Sequence, residues 1–338
     1  MQVKDRVLEA LEGHRGTYFS GEALAKELQV SRNAVWKAIR QLRDQGYPIH
    51  AVSNRGYSLA PDSAMLSPQS IAPFLTVPGL QVEVQPVVTS TNQLLRQRAE
   101  EGAHEGLAQV AVTQTAGRGR RDHSFFSPPD SGLYLSFLLR PDLSARDALS
   151  LTTCAAASVA LAIEECAGVD AKIKWVNEEA AAKVGIKWPN DIVVDGKKVC
   201  GILTEAALDL ETGGLQYAIV GIGVNLFPPK GGFPPELPEA GAVFPTRPQG
   251  LEGRSQLAGS ILNHFFSFYP HLKDKPFFAD YRRRSLVLGQ EITVLEGGQT
   301  RTAFALDLER DFSLRVRETD GTIHTLSSGE VRVRPAHG

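Results

Sequence analysis

Cysteine is scarce in this chain. Its 338 residues hold three, Cys154, Cys166 and Cys200, an odd number with no Cys-x-x-Cys pair. That excludes a disulfide scaffold and a cysteine-based zinc site, and it fits a reducing, cytoplasmic compartment. No continuous apolar stretch approaches the roughly 18 residues of a membrane helix, so no membrane span is expected. The opening MQVKDRVLEALEG carries charges throughout and does not read as a signal peptide. The pattern Gly-x4-Gly-Lys-Ser/Thr occurs nowhere, which excludes a Walker phosphate loop. An excess of one charge is missing too. The 36 Lys and Arg face 38 Asp and Glu, and a net charge of −2 gives no global pull toward nucleic acid. Any nucleic-acid face must be local.

What is present suffices for two or three domains, with 42% hydrophobic residues to fill their cores. Residues 1–62 read as a small, mostly helical unit. Val3, Val7, Leu8 and Leu11 have helical spacing, and Gly13 and Gly16 end that helix. A second helix runs from Gly21 to Leu28. Ser31 caps a third, from about Arg32 to Gln45, that buries Val35, Ile39 and Leu42. Residues 48–59 read as two short strands around an Asn-Arg-Gly turn. Together these describe a winged helix-turn-helix.

The third helix would then enter the major groove, presenting Ser31, Arg32, Asn33, Lys37 and Arg40, with Arg55 at the hairpin tip reaching backbone phosphate. Residues 31–57 hold Arg32, Lys37, Arg40, Arg43 and Arg55 against Asp44 alone. A protein–protein module of the same shape would show an ordinary solvated basic face; the local charge excess favours double-stranded DNA. Trp36 could touch DNA, but packing against the wing is the commoner use of such an aromatic. One such unit reads little sequence, so a dimer on a two-part site is the expected geometry.

Residues 61–68 (PDSAMLSP) read as a linker. Residues 66–285 alternate strand-like and helix-like runs and predict an α+β domain on one large mixed sheet. Its expected elements are strands at 82–88, 107–113, 133–139, 192–194, 199–204 and 217–224, an Ala-rich helix at 145–167 and an amphipathic helix at 257–269. Residues 228–241 form a Pro/Gly-rich loop, of which Gly231 to Gly241 is either a mobile flap or a tolerated surface insertion. Residues 286–334 are all β, with turns at Gly297-Gly298 and Asp320-Gly321, and suggest a small barrel.

The sharpest motif is Gly117-Arg118-Gly119-Arg120-Arg121. Two glycines let backbone approach a ligand, and three arginines can meet a carboxylate and phosphates bidentately. By itself such a run also suits an RNA-binding or merely flexible loop. It is not alone. Ser90-Thr91-Asn92 sits between a strand and a helix, where it is either a plain cap or a set of pocket groups. Lys187-Trp188-Pro189-Asn190-Asp191 runs into a hairpin with Lys197-Lys198, followed by Gly201-Ile202-Leu203-Thr204-Glu205 and Gly221-Ile222-Gly223-Val224-Asn225. Small residues inside strands admit a flat ligand against the sheet.

This ordered set, Ser-Thr-Asn, then Gln-x-Ala-Gly-Arg-Gly-Arg-Arg, then Lys-Trp-Pro-Asn-Asp, then Lys-Lys-x-x-Gly-Ile-Leu-x-Glu, then Gly-Ile-Gly-x-Asn, resembles the biotin–protein ligases. With the winged helix and the barrel it resembles their bifunctional ligase/repressor branch over nearly the whole chain. The resemblance implies a central domain like class II aminoacyl-tRNA synthetases and a C-terminal SH3-like barrel. It implies that biotin and ATP form biotinyl-5′-AMP, and that a lysine of a biotin carboxyl-carrier domain then takes the biotin. It also implies a ligand-promoted homodimer that represses transcription at operator DNA.

Carried over by motif, Ser90, Thr91, Asn92 and Gln114 would bind biotin's ureido head, with Gly117, Gly119 and Gly201 close by. Arg118 would meet the carboxylate and α-phosphate, Arg120 and Arg121 the adenylate, and Lys198 the charge at the reacting oxygens. Lys187, Asn190, Asp191 and Asn225 would serve ATP, with Asp191 toward Mg²⁺. The chain departs from the family after the arginines. In Asp122-His123-Ser124-Phe125-Phe126-Ser127-Pro128, Phe125 takes a tryptophan's place and His123 a basic residue's. A near-repeat, Ile173–Glu178 before Ile186–Asp191, has its second copy as the expected site because only that copy runs into the Lys-Lys hairpin. A biotin-adenylate sensor with little ligase activity, or a lipoyl ligase, would share much of this pattern; the Gly-Arg run and the barrel favour a biotin ligase.

Overall fold

The spacing of apolar residues decides the N-terminal unit. In this computed structural model, which describes residues 2–167, 184–209, 211, 213–246, 253–296 and 299–333, Val7, Leu8 and Leu11 are buried on α1 (Val3–Glu12). Gly13 caps that helix. Ser20 and Ser31 cap α2 (Gly21–Glu27) and α3 (Arg32–Asp44); their hydroxyls accept from the amides of Ala23 at 3.0 Å and Ala34 at 3.1 Å. Helix α3 buries Val35, Ala38, Ile39 and Leu42 in one cluster with Leu8, Leu11, Leu24 and Leu28. The hairpin of β1 (Ile49–Val52) and β2 (Gly56–Leu59) adds Ile49 and Leu59 to that core. Gly56 sits at φ +99°, and a Cβ there would lie 2.0 Å from the Phe19 carbonyl oxygen, so no other residue fits.

The stretch 61–68 is more than the linker its composition suggests. Leu66 and Ser67 are buried, Arg15 donates to the Ser63 carbonyl at 3.0 Å, and Ser67 caps the short α4 (Pro68–Ile71). Arginines far apart in sequence supply donors to the carbonyls of this stretch, and Arg254 donates to that of Ala64 at 2.6 Å. Met1–Thr76 and Arg247–Gly259 accordingly form one compact unit, and Val77–Thr246 and Ser260–Gly338 a second.

The second unit is built on seven strands: β3 (Gln81–Val88), β4 (Leu107–Gln114), β5 (Gly132–Leu139), β6 (Gly185–Lys187), β7 (Asp191–Val194), β8 (Lys197–Leu208) and β9 (Leu215–Asn225), in the order β3-β4-β5-β9-β8-β7-β6. Only β3 and β4 run parallel, joined by α5 (Thr91–Glu100); the other neighbours are antiparallel, so the sheet is mixed. Every residue of β5 is buried, as befits a central strand. Helix α5 covers β4, β5 and β9 through Leu95 and Ala99, and α6 (Ala148–Ala167) covers β6 to β9.

Counting continuous apolar runs understates α6. Averaged along its length, Ala148–Cys166 is long and apolar enough to cross a membrane, but 67% of that stretch is buried within the fold, as for a core helix. Helix α7 (Gly253–Phe268) likewise departs from an amphipathic reading, being buried nearly all round from Gly253 to Leu262. The first copy of the near-repeat, at 173–178, lies outside the described residues, as does the turn at 297–298. The second copy folds as β6, a turn with a cis Trp188–Pro189 bond, and β7. The three thiols are unpaired, and burial pushes that of Cys166 up to about 12.

After α8 (Phe278–Arg284) come five antiparallel strands, β10 (Glu291–Glu296), β11 (Gln299–Leu308), β12 (Leu314–Glu318), β13 (Ile323–Leu326) and β14 (Glu330–Val333), ordered β13-β12-β11-β10-β14. The turn between β6 and β7 is tied to them through Trp188 and to α8 through Tyr281, both side chains buried. The Trp188 indole donates to the Phe312 carbonyl at 2.8 Å, and the Tyr281 hydroxyl to the Pro189 carbonyl at 3.0 Å.

Leu42→Ala should lower the opening free energy of α1–α3 amides by about 2–5 kcal/mol, the cost of such a cavity. Hydrogen exchange on the full chain measures this, with β5 as the unaffected reference. Equal losses in α3 and β5 would show that the units open together.

Candidate functional site

The end of β3 delivers Ser90, Thr91 and Asn92 to the first turn of α5, where all three are buried. The side chains of Thr91 and Asn92 have partners. Thr91 donates its amide to Gln114 Oε1 at 2.9 Å, and its hydroxyl lies 2.6 Å from that of Ser136 in the middle of β5. Ser136 donates to Asn92 Oδ1 at 2.6 Å, and Asn92 Nδ2 donates to Glu205 Oε2 at 2.8 Å. Because Ser136 spends its proton on Asn92, Thr91 is the donor to Ser136, sharing its one hydroxyl proton with Gln114 Oε1 at 3.1 Å. The chain of donors therefore runs one way and ends on a carboxylate. Ser90 makes no side-chain cap, which leaves its hydroxyl at the cavity wall.

Register explains the glycines. Gly221 pairs with Ser136 on one side and Leu203 on the other, and a Cβ there would lie 2.1 Å from Asn92 Oδ1. Gly223 pairs with Gly201 and Tyr134. The ring of Phe125 rests on that glycine pair: a Cβ at Gly223 would lie 2.5 Å, and one at Gly201 3.3 Å, from its edge atoms. The small residues that would admit a flat ligand hold a protein ring.

The loop carrying that ring is a pinned hairpin. Phe125 donates its amide to the Gly117 carbonyl at 2.8 Å, and Gly119 donates to the His123 carbonyl at 2.7 Å. Gln114 Nε2 bonds Ser127 Oγ at 3.0 Å, which in turn donates to the Phe125 carbonyl at 2.9 Å. Arg118 points to Glu205, Nη1 to Oε1 at 3.1 Å, and Arg96 meets the same oxygen at 2.5 Å. Arg120 donates to Asn190 Oδ1 at 3.1 Å; burial, and then the charge of Arg121, hold its pKa below the ordinary arginine value. Arg121 takes the left-handed conformation, φ +52°.

These groups surround a cavity of about 450 Å³, within the range of small-ligand sites. Of the residues singled out by sequence, Ser90, Thr91, Asn92, Gln114, Arg118, Gly119, Arg120, Arg121, Asn190, Asp191, Lys198 and Gly201 line it. Three do not. Gly117 lies under Phe125 and Ser127. Lys187 faces Glu239 at 3.9 Å. Asn225 lines an adjoining cavity of about 410 Å³, with Phe233 and Pro238. Phe125 and Lys198 border both cavities.

Sequence reading overlooked Glu205, Ser136 and the β14 residues Glu330 and Arg332, which line both cavities. Glu205 stood inside a quoted motif. Ser136, alone in GLYLSFLL, was the legible anomaly. The 228–241 loop is neither flap nor loose insertion at its far end: the Lys198 amide donates to the Glu239 carbonyl at 2.8 Å, and the Gly241 amide to the Lys198 carbonyl at 2.9 Å.

Lys198 Nζ stands 2.8 Å from Asp191 Oδ1, but out of line for a hydrogen bond, so this buried oxygen lacks an aligned donor. Among the described residues no three His, Cys, Asp or Glu gather to hold a metal. One half-buried carboxylate, ion-paired with Lys198 but short of aligned donors, fits a hard divalent cation shared with a ligand's phosphates, not one caged by protein alone.

In the N-terminal unit, Ser31, Arg32, Asn33, Trp36, Lys37 and Arg40 are all exposed on α3. Trp36 does not bury itself against the hairpin; it is 49% exposed, with the Arg40 guanidinium 5.8 Å from its ring centre. Arg55, between β1 and β2, stacks on Tyr18 at 4.3 Å.

Residues 84–225 match the model of the biotin/lipoate A/B protein ligase family, and residues 4–58 that of a helix-turn-helix domain. The bifunctional ligase/repressor BirA of Bacillus subtilis is 37% identical over 274 residues, 80% of this chain and 79% of that protein. The chain belongs to the bifunctional ligase/repressor BirA family. The Escherichia coli BirA is also 37% identical, over 62% of this chain and 60% of that protein. Among solved structures, a biotin protein ligase from Aquifex aeolicus in complex with biotin and ATP is similar at TM-score 0.56 and 26% identity, over 76% of this chain and 99% of that one. Within this BirA-family chain, the Phe125 and His123 departures fall in the pinned hairpin, where Phe125 forms the wall between the two cavities and the His123 carbonyl holds Gly119.

Glu205→Gln should loosen that hairpin by removing the charge Arg118 leans on. Arg118 is 42% exposed, so solvent screens the pair and the effect is modest, about 0.2–1 kcal/mol. Amide exchange at Gly119 and Phe125 should quicken a few-fold. Unchanged exchange would show that backbone bonds alone pin the loop.

Proposed function

We infer that this chain activates biotin with ATP to biotinyl-5′-AMP, transfers the biotin to a lysine of a carrier domain, and represses transcription through its N-terminal unit. The observation that carries the enzymatic half is the meeting of Arg118, Arg120 and Lys198 around one cavity beside the Ser90–Asn92 turn. The helix-turn-helix match over residues 4–58, with its basic exposed α3, supports the other half.

In the proposed reaction a biotin carboxylate oxygen attacks the α-phosphorus of ATP. That bond forms as the α–β bridging bond breaks and pyrophosphate leaves. The neutral carrier amine then attacks the acyl carbon; a C–N bond forms, the bond to AMP breaks, and the amine gives up a proton. Neither step needs a covalent enzyme intermediate, so the residues work by positioning and by neutralising charge. Ser90, Thr91, Asn92 and Gln114 are assigned the ureido head, with Gly117, Gly119 and Gly201 allowing close approach. Arg118 holds the carboxylate, exchanging its bond to Glu205 for one to the substrate, which makes Glu205 the carboxylate that biotin must displace. Lys198, between the two cavities, balances charge on the reacting oxygens. Arg120, Arg121, Lys187, Asn190 and Asn225 are assigned the nucleotide. Asp191 would hold Mg²⁺ with the phosphates, and the ion when bound lowers the phosphates' negative charge.

We read the large sheet and its helices as a class II synthetase-like fold and the five-stranded sheet as an SH3-like barrel. The division of labour is 1–62 for DNA, 66–285 for catalysis and 286–334 for the C-terminal domain. The partners are a biotin carboxyl-carrier domain and double-stranded operator DNA. A ligand-promoted homodimer would let two helix-turn-helix units share a two-part site, coupling adenylate to DNA affinity.

Mass spectrometry of a biotin carrier domain incubated with the chain, biotin and Mg-ATP should show a gain of one biotin. Arg118→Ala and Lys198→Ala should each slow that gain by about 100-fold or more, as loss of a charge-stabilising donor does. No gain with the unaltered chain would turn the reading to a biotin-adenylate sensor. A gain of lipoate in place of biotin would turn it to a lipoyl ligase.

A further inference from the structure

We propose that Trp36 is a base-reading residue that packs its indole on the C5-methyl group of one thymine in the operator's major groove. The inference rests on the DNA reading above and adds what the helix recognises.

Arg32, Asn33, Trp36, Lys37 and Arg40 form one exposed stripe of α3, while Val35, Ala38, Ile39 and Leu42 form the buried one. A single exposed apolar side chain is ordinary on a protein surface. Trp36 is less ordinary, because it lies in the middle of a stripe whose other members are all polar or cationic. Its ring is 49% exposed, although Tyr57 and Phe19 of the same unit pack against the core. Arg40 lies over the ring at 5.8 Å, so the indole and the guanidinium form one broad surface.

Chemistry selects the target. Phosphates suit Arg32, Lys37 and Arg40, and an adenine edge suits Asn33. An indole face suits neither. The apolar handle in the major groove is the thymine methyl. Arg55 sits at the hairpin turn with Tyr18 behind it at 4.3 Å, a cation placed for backbone and not for sequence.

The test uses the full chain with biotin and Mg-ATP at fixed salt. A preferred duplex is first selected from a randomised library, and each thymine is then replaced in turn by deoxyuridine, which pairs identically but lacks the methyl. One replacement per half-site should weaken binding roughly fourfold, the factor for losing one buried methyl-sized group. Trp36→Ala should bind the thymine duplex more weakly, show no further loss at that position, and keep the same salt dependence, since no charge has changed. Trp36→Gln, which keeps a helix-forming side chain but puts a polar amide in place of the ring, gives the same comparison where the alanine variant binds too weakly. Biotin transfer by both variants should equal that of the unaltered chain, which checks that they fold. The inference is overturned if no deoxyuridine position matters, or if the same position still matters in the variants. If the unaltered chain retains no duplex, the DNA reading itself falls and takes the inference with it.

Discussion

A one-way run of hydrogen bonds, Thr91 to Ser136 to Asn92 to Glu205, holds the catalytic unit's working face together. Its members come from a helix start, the central strand β5 and β8, which lies two places along the sheet beyond β9. Thr91, Ser136 and Asn92 are buried, and a buried polar group left without a partner costs about 1–3 kcal/mol. The run is stable only if all members are in place, since each donor polarises the next. Several other features follow from it. Gly221 is bare because Asn92 lies over it. Gln114 turns its carbonyl to Thr91, which leaves its amide to hold Ser127 and, through it, the loop. Glu205, where the run ends, also meets Arg96 and Arg118.

The second constraint is steric. Gly201 and Gly223 stand side by side on neighbouring strands, and the Phe125 ring occupies the hollow they leave. The loop's basic residues are therefore positioned by an apolar contact as much as by charge. With Phe125 seated, Arg118 turns toward Glu205 and Arg120 toward Asn190. Lys198 borders the cavities on both sides of the ring, as do Glu330 and Arg332 of β14.

Most strands and helices could be read from the chain because their apolar periods are clean. The core of α1–α3 and the strands at 82–88, 107–113 and 133–139 needed nothing else. The three-residue β6 escaped because Gly185–Lys187 is too short to show a period. Residues 61–68 looked like a linker because Pro, Asp and Ser are turn formers, and the carbonyl acceptors that Arg15 and Arg254 bind leave no trace in composition. The residues lining the main cavity were legible as motifs, but their pairing was not. That Arg118 meets Glu205, or that β14 brings Glu330 and Arg332 to both cavities, depends on strand order and not on local sequence.

The loop at 228–241 is held at both ends and open in the middle, with the Phe227 amide on the Ser131 carbonyl just before it and residues 239–241 on Lys198 at its close. Residues 239–241 extend the pairing of Lys198, while Gly231 and Gly232, at φ +90° and +83°, have no atom close to where a Cβ would stand. Insertions and deletions are thus tolerated unequally along fourteen or so residues. Lineages are free to lengthen, shorten or decorate the region around Gly231, where backbone meets little but solvent. The three residues before Ala242 are under a different rule, because a shift of one position there moves the backbone of Lys198.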